Sequence, residues 1–362
     1  MTRGSQRGSV IIIVLLTAVL LTVLVTAMAG KVRLSAQTAS HNRDASWEWA
    51  QLMSAVNYAE AELMLETMPL PIGYQHEETE EGEILERKYR YDGEALELSY
   101  PLPENMVVRI YDHVGKINLN RIPRRNMQLL IEKLLGGEEA DPEEVQDLLA
   151  AWTDWTDLND LEGLNGAEAD YYSELEQGYM PRNNPELDTV EELLHVRGFA
   201  ELFEGVNLDA AFTIYGNTRT VNLNVATREA MRLLPGLDDE LVETIIAYRE
   251  IEDINNQAEI AEIVPFENLQ ELSGWIGTNV SNIYSIFAYP RQESVANALT
   301  GQTAANEVEE FETEAEDAVR QAYMEIVEVR SGTALPRIYK VDPYGMLPDT
   351  AKARVEEYGI EL

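Results

Sequence analysis

The chain has 362 residues and a mass of 40.8 kDa, enough for two domains or for one domain with a large insertion. Its 27 Lys and Arg face 65 Asp and Glu, a formal net charge of -38, which leaves a local basic patch as the only route to phosphate binding. Cysteine is absent, so disulfides, thiolate metal sites and a cysteine nucleophile are excluded, while 45% hydrophobic residues supply real cores.

Ser9 to Ala29 carries no charge. As a helix it would span roughly 32 Å, close to the hydrocarbon thickness of a bilayer. Arg3 and Arg7 in front favour a cytoplasmic N-terminus, against a weaker contrast from Lys31 and Arg33 behind. Every later apolar run is short, so the expected topology is a single span with the acidic body on the far side. The alternative is a cleaved signal peptide ending at Ala27-Met28-Ala29.

Lys31 to Met68 has neither Pro nor Gly, and Ala50, Met53, Val56, Ala59 and Leu63 form a stripe at spacings of three and four. A long helix is predicted, stopped by Pro69 and Pro71 and followed by the acidic run 77–81. Arg87–Tyr100 and Val107–Asn120 read as strands of a small antiparallel sheet, with Asp112 and Gly115 suited to a turn.

From Arg121 to about Trp275 the texture is helical. Met127–Leu135 is one helix, Asp141-Pro142 opens a second, and Asp188 reads as the capped start of a third. Asn118-Leu119-Asn120 is echoed by Asn222-Leu223-Asn224, and the 190–199 stretch by 266–275, which suggests a helix pair used twice. In the tail, Thr300–Ala318 is acidic, and Tyr323–Val329 and Leu335–Val341 read as strands. If these join the early sheet, the helical region is an insertion.

Trp152 to Asp170 gathers Asp154, Asp157, Asp160, Glu168 and Asp170 with Asn159 in a stretch containing glycine, the hard-oxygen supply that Ca²⁺ takes. The spacing is not that of an EF-hand, and a solvated acidic loop is the competing reading. Leu234-Pro235-Gly236-Leu237 has the form of a helix-hairpin-helix turn, but Asp238, Asp239 and Glu240 follow it where a phosphate would dock. That favours a scaffold over nucleic-acid binding. The four histidines have no metal-ligand spacing, and His195 reads as a packed helix-terminal residue. No catalytic residue or enzymatic activity is assigned.

Arg7-Gly8-Ser9 followed by the apolar run resembles a type IV prepilin leader. The resemblance implies cleavage after Gly8 by a prepilin peptidase, methylation of the new terminus at Ser9, and retention of the apolar helix. The fifth mature position, usually Glu in such proteins, is Ile13. The K-type minor pseudopilin of type II secretion systems characteristically lacks that Glu. The stretches 115–122 (GKINLNRI), 152–154 (WTD), 166–168 (GAE), 181–183 (PRN) and the runs from 191 (EELLHVRGF) and 221 (VNLNVAT) also resemble that family.

The resemblance implies an α+β fold: an N-terminal transmembrane helix continuing into a pseudopilin-like helix plus antiparallel sheet, interrupted by a large helical (SAM-like or helix-hairpin-helix-like) insertion. The expected boundaries are 1–8 leader, 9–29 transmembrane helix, 30–120 helix and first strands, 121–299 insertion, and 300–362 return to the sheet. The implied role is a minor pseudopilin at the tip of the pseudopilus in the bacterial inner membrane. There it primes pseudopilus assembly and supports export of folded proteins across the outer membrane. I-type and J-type minor pseudopilins, H-type and major pseudopilins, the prepilin peptidase and the inner-membrane assembly platform are the implied partners. The family's calcium site maps to Asp154 and Glu168, with Thr156 where another acid is common and Asp157 or Asp170 as compensating carboxylates.

A periplasmic enzyme released from a signal peptide and a membrane-anchored helix-hairpin-helix DNA-binding protein are the alternatives. Only six of the 27 basic residues are Lys, a bias that suits solubility in a saline setting.

Overall fold

The computed structural model describes residues 7–68, 90–96, 102–103, 106–175, 181, 184–290, 321–330 and 334–348. The expected proline stop, the acidic runs at 77–81 and 300–318, and Arg182-Asn183 lie outside them. Two units are distinguished, residues 1–53 and 54–362.

Helix α1, Arg7–Thr67, supplies the whole described part of the first unit. Leu, Ile and Val dominate its first half, and its most apolar 18 residues have a mean hydropathy of 2.9 with none buried. Thr17, Thr22 and Thr26 turn their hydroxyls onto the carbonyls of Val14, Ala18 and Thr22 at 2.8–2.9 Å, which keeps the few polar groups satisfied by the helix itself. Among the described residues this is the one helix long and apolar enough to cross a membrane.

In the second unit, the last turns of α1 bury Val56, Ala59 and Leu63, as their spacing predicts, whereas Ala50 on the same stripe is exposed in the first unit. Five strands form one antiparallel sheet: β1 Asp92–Ala95, β2 Met106–Asp112, β5 Ile283–Pro290, β6 Gln321–Glu328 and β7 Arg337–Met346, in the order β1-β2-β5-β6-β7. β2 and β5 are neighbours, with Asp112 opposite Tyr284. The chain therefore leaves the sheet after β2 and returns beside its point of departure. Everything between is an insertion with closely spaced ends. β5 lies within the span expected to be helical, so the insertion closes before Ile283 and not at 299.

The insertion opens on a 3-10 turn, His113–Gly115, with Asp112 Oδ1 accepting the Val114 N–H at 2.9 Å. A Cβ on Gly115 would lie 2.1 Å from the Val225 carbonyl oxygen, so only glycine fits. β3, Ile117–Asn118, does not join the main sheet as the continuous reading of 107–120 expects. It pairs in parallel with β4, Phe212–Thr213.

The helices are α2 Arg124–Leu134, α3 Pro142–Trp155, α4 Ala169–Ser173, α5 Phe199–Leu202, α6 Leu208–Ala211, α7 Arg228–Leu233, α8 Asp239–Ile251, α9 Gln257–Ile263 and α10 Phe266–Leu272. Asp141 caps α3 through the Glu143 N–H, with Pro142 at the first helical position, as read from sequence. At Val190–His195 a 3-10 turn replaces the expected capped helix. His195 at its end is exposed, where a buried helix-terminal residue was expected. The insertion has its own core, built around Trp152, Phe199, Phe203, Phe212 and Trp275, and the sheet has a second one around Tyr111, Phe287 and Met324.

The internal echo is structural. In each Asn-Leu-Asn the first side chain accepts the N–H of the second, at 3.1 Å for Asn118–Asn120 and 3.0 Å for Asn222–Asn224. The residue just before each motif pairs in parallel: Ile117 with Phe212, and Val221 with Ile276. Beyond them, Glu192 accepts the Asp188 N–H and Glu259 accepts the Asn255 N–H, four residues back in each case. The partner of 190–195 is thus α9, and the expected match of 190–199 with 266–275 is in the wrong register. A 31-residue connection separates α3 from Leu187 in the first copy, against two residues between α8 and Ile254 in the second.

Candidate metal centre

That long connection holds the acidic cluster. The last turn of α3 places Asp154 inward, only 4% exposed, beside Trp152 and Trp155. Thr156 closes the helix by donating its hydroxyl to the Trp152 carbonyl at 2.8 Å, and as a threonine it contributes no carboxylate. The chain then turns through Asp157, whose two oxygens accept from the Asn159 amide N–H and side chain at 2.9 and 2.8 Å. At Gly163 it returns to Asp154, with the Gly163 N–H donating to Asp154 Oδ2 at 3.0 Å.

Asn165, at φ 59°, and Gly166 complete the return. The Arg197 guanidinium donates to the carbonyl oxygens of Gly166 and Asn165. A Cβ on Gly166 would sit 1.7 Å from Asp154 Oδ2, so any larger residue there displaces that carboxylate. Glu168 then points back into the loop at the start of α4. Behind the loop, Tyr172 meets Trp155 edge-on at 5.0 Å, and Trp155 donates its indole N–H to Glu192 at 3.2 Å. The loop is thus anchored in the core of the insertion.

Asp154, Asp157 and Glu168 each offer a carboxylate oxygen within 4.8 Å of the others. Asp170 is not among them; it is exposed on the first turn of α4, where the helix carries it away from the cluster. Asp160 acts on Glu168 through its charge. Both Glu168 oxygens are buried without a well-formed hydrogen bond. Burial, with the charges of Asp154, Asp157 and Asp160, raises its pKa to about 7, and the Ala169 amide offsets part of this. An unsatisfied carboxylate among carboxylates is what a hard divalent cation relieves, and an all-oxygen set suits Ca²⁺ over softer metals. The residues present fit such an ion.

The hairpin at Leu234–Leu237 is engaged within the chain. Lys133 donates to the Leu234 and Leu237 carbonyls at 2.5 and 2.7 Å, and Asn268 donates to Gly236 at 2.7 Å. Arg232 pairs with Asp239 at 2.8 Å. Gly8 and Ser9 lie in α1, and Ile13 is 61% exposed on it.

Residues 115–203, which contain the acidic cluster, match the family model for type II secretion system (T2SS), protein K. This segment is similar to that family. No match was found among curated proteins. Among solved structures, a chain of the GspK–GspI–GspJ complex from the type 2 secretion system of enterotoxigenic Escherichia coli aligns over 85% of this chain and 98% of its own, at 14% identity and a TM-score of 0.48.

Proposed function

We propose that the protein is the K-type minor pseudopilin of a type II secretion system, held in the inner membrane by α1 with its N-terminus cytoplasmic and its body periplasmic. The observation that carries this reading is the family match over 115–203 in a chain whose N-terminus is an uncharged helix directly behind Gly8. In this reading a prepilin peptidase cuts after Gly8, Ser9 is methylated, and the helix is retained.

Ile13 supports a place at the tip. A carboxylate in the bilayer is costly unless paired, and in a fibre its partner is the terminal amine of a neighbouring subunit. A subunit with no neighbour above has no such partner, and an apolar residue avoids the penalty. The body then docks with I-type and J-type minor pseudopilins, above H-type and major subunits, and primes assembly on the inner-membrane platform. Asp154, Asp157 and Glu168 bind Ca²⁺, which supplies positive charge and fixes the loop. The role is structural, without catalysis or nucleic-acid binding.

Co-expression in membranes tests it. The full chain is expected to co-purify with I-type and J-type pseudopilins and to be required for secretion, and Ile13→Glu is expected to impair both. Secretion that persists on deletion of the gene would contradict the role.

A further inference from the structure

Leu158, Leu161 and Leu164 are 72%, 79% and 91% exposed. They recur every third residue in the same loop that runs from Asp157 to Glu168, and three such side chains in seven residues are not the scattered apolar exposure of an ordinary surface. Carboxylates are interleaved with them at Asp157, Asp160 and Glu162, and no Lys or Arg occurs from 156 to 181. The loop is tied down at the Asp154–Gly163 and Arg197–Gly166 hydrogen bonds, so the leucines are displayed from a fixed base.

We propose that this loop is a cation-gated docking site for a protein segment that alternates apolar side chains with Lys or Arg. The inference rests on the reading of Asp154, Asp157 and Glu168 as a Ca²⁺ site. Complementary charge selects the partner: leucines framed by acids match an apolar segment framed by bases, where each cation both steers approach and suppresses wrong partners. A second copy of this chain would bring another acidic loop and another net charge of -38. An anionic lipid surface is repelled for the same reason. Gating follows from position. Asp154, Asp157 and Glu168 bring carboxylate oxygens within 4.8 Å of one another at the base of the loop, and Asp154 also accepts the Gly163 N–H there, so a cation that offsets their mutual repulsion acts on the segment that carries the leucines.

The test uses the detergent-solubilised full chain, with calcium uptake measured by calorimetry. Docking is measured as fluorescence anisotropy of a short Leu/Lys amphipathic peptide, with a Ser/Lys peptide of equal charge as control. The wild type is expected to bind the Leu/Lys peptide roughly tenfold more tightly in Ca²⁺ than in chelator, and more tightly than the control. The triple variant Leu158→Ser, Leu161→Ser, Leu164→Ser is expected to keep its calcium uptake and lose roughly tenfold in peptide affinity. Unchanged peptide binding by that variant, equal binding of the Ser/Lys peptide, or stronger binding to phosphatidylglycerol vesicles than to the peptide overturns the docking site while leaving the calcium reading intact. A wild type that takes up no calcium overturns that reading and the gating together.

Discussion

Asn224 holds Ile254 through both ends of its side-chain amide: Oδ1 accepts the Ile254 N–H at 2.8 Å and Nδ2 donates to its carbonyl at 2.9 Å. Asn120 grips Leu187 in the same way, at 2.7 and 3.1 Å. Each clamp joins the start of one repeat copy to its second half. Replacing either Asn with Ala leaves a backbone donor and acceptor unpaired, and is expected to cost about 1–3 kcal/mol. The two clamps share no partner, so the double variant is expected to lose the sum of the two. Urea unfolding of the three variants checks this, and marked non-additivity would show that the copies are not separate clamps.

Glu168 makes stability depend on pH with a defined sign. Its carboxyl is held near pKa 7 in the fold, above its ordinary value of 4.5, so the folded state binds the extra proton. The stability this group contributes is full below about pH 4.5 and is lost as pH rises through 7. In chelator, Glu168→Gln is therefore expected to raise the melting temperature at pH 8 relative to wild type, with the gap closing near pH 4.5. Calcium should reverse the order at pH 8, because the cation replaces the proton. Identical profiles for both proteins would remove Glu168 from the cluster.

Gly166→Ala tests the cradle by shape alone. The added methyl falls 1.7 Å from Asp154 Oδ2, so the carboxylate must turn away. Calcium affinity is expected to drop by roughly tenfold or more, with little change in the circular dichroism of the insertion. Calorimetric titration reads the effect, and unaltered affinity would place the ion elsewhere.

His113 joins the insertion to the sheet. Its ring nitrogens lie 2.7 Å from Thr213 Oγ1 and 2.7 Å from Ser285 Oγ, in a fully buried position beside Lys116. Burial, then the Lys116 charge, drives its pKa well below 6.5. Its contribution to stability is therefore present above pH 6.5 and is lost as pH falls through the depressed value, opposite in sense to Glu168. His113→Leu removes both hydrogen bonds and is expected to cost about 2–3 kcal/mol near neutral pH. The penalty should shrink in acid, and a penalty independent of pH would argue for packing alone.

Periodicity and punctuation made much of this architecture legible. The apolar stripe through Val56, Ala59 and Leu63, the Asp141-Pro142 helix start and the two late strands required local signals only. The strand pairing that turns the helical region into an insertion is a relation between Asp112 and Tyr284, far apart in sequence, and no local pattern reports it. β3 was hidden because two residues cannot show a period. The repeat was visible in its Asn-Leu-Asn signature, but its second half was misaligned: the decisive equivalence is carried by backbone bonds from Glu192 and Glu259, not by matching hydrophobic letters. In the acidic loop, composition marked the stretch from Asp154 to Asp170, and only the resemblance singled out Asp154 and Glu168. Neither reading could choose between Asp157 and Asp170, since the turn of α4 decides which carboxylate lies beside Asp154 and Glu168.

The central claim is that the segment behind Gly8 is a retained membrane anchor of a pseudopilin. Intact mass of the protein extracted from native membranes tests it most directly. The account predicts a chain that begins at Ser9, carries one added methyl group and keeps the whole of α1. A chain released from the membrane that begins near residue 30 would contradict it, and the placement at the pseudopilus tip would be lost as well.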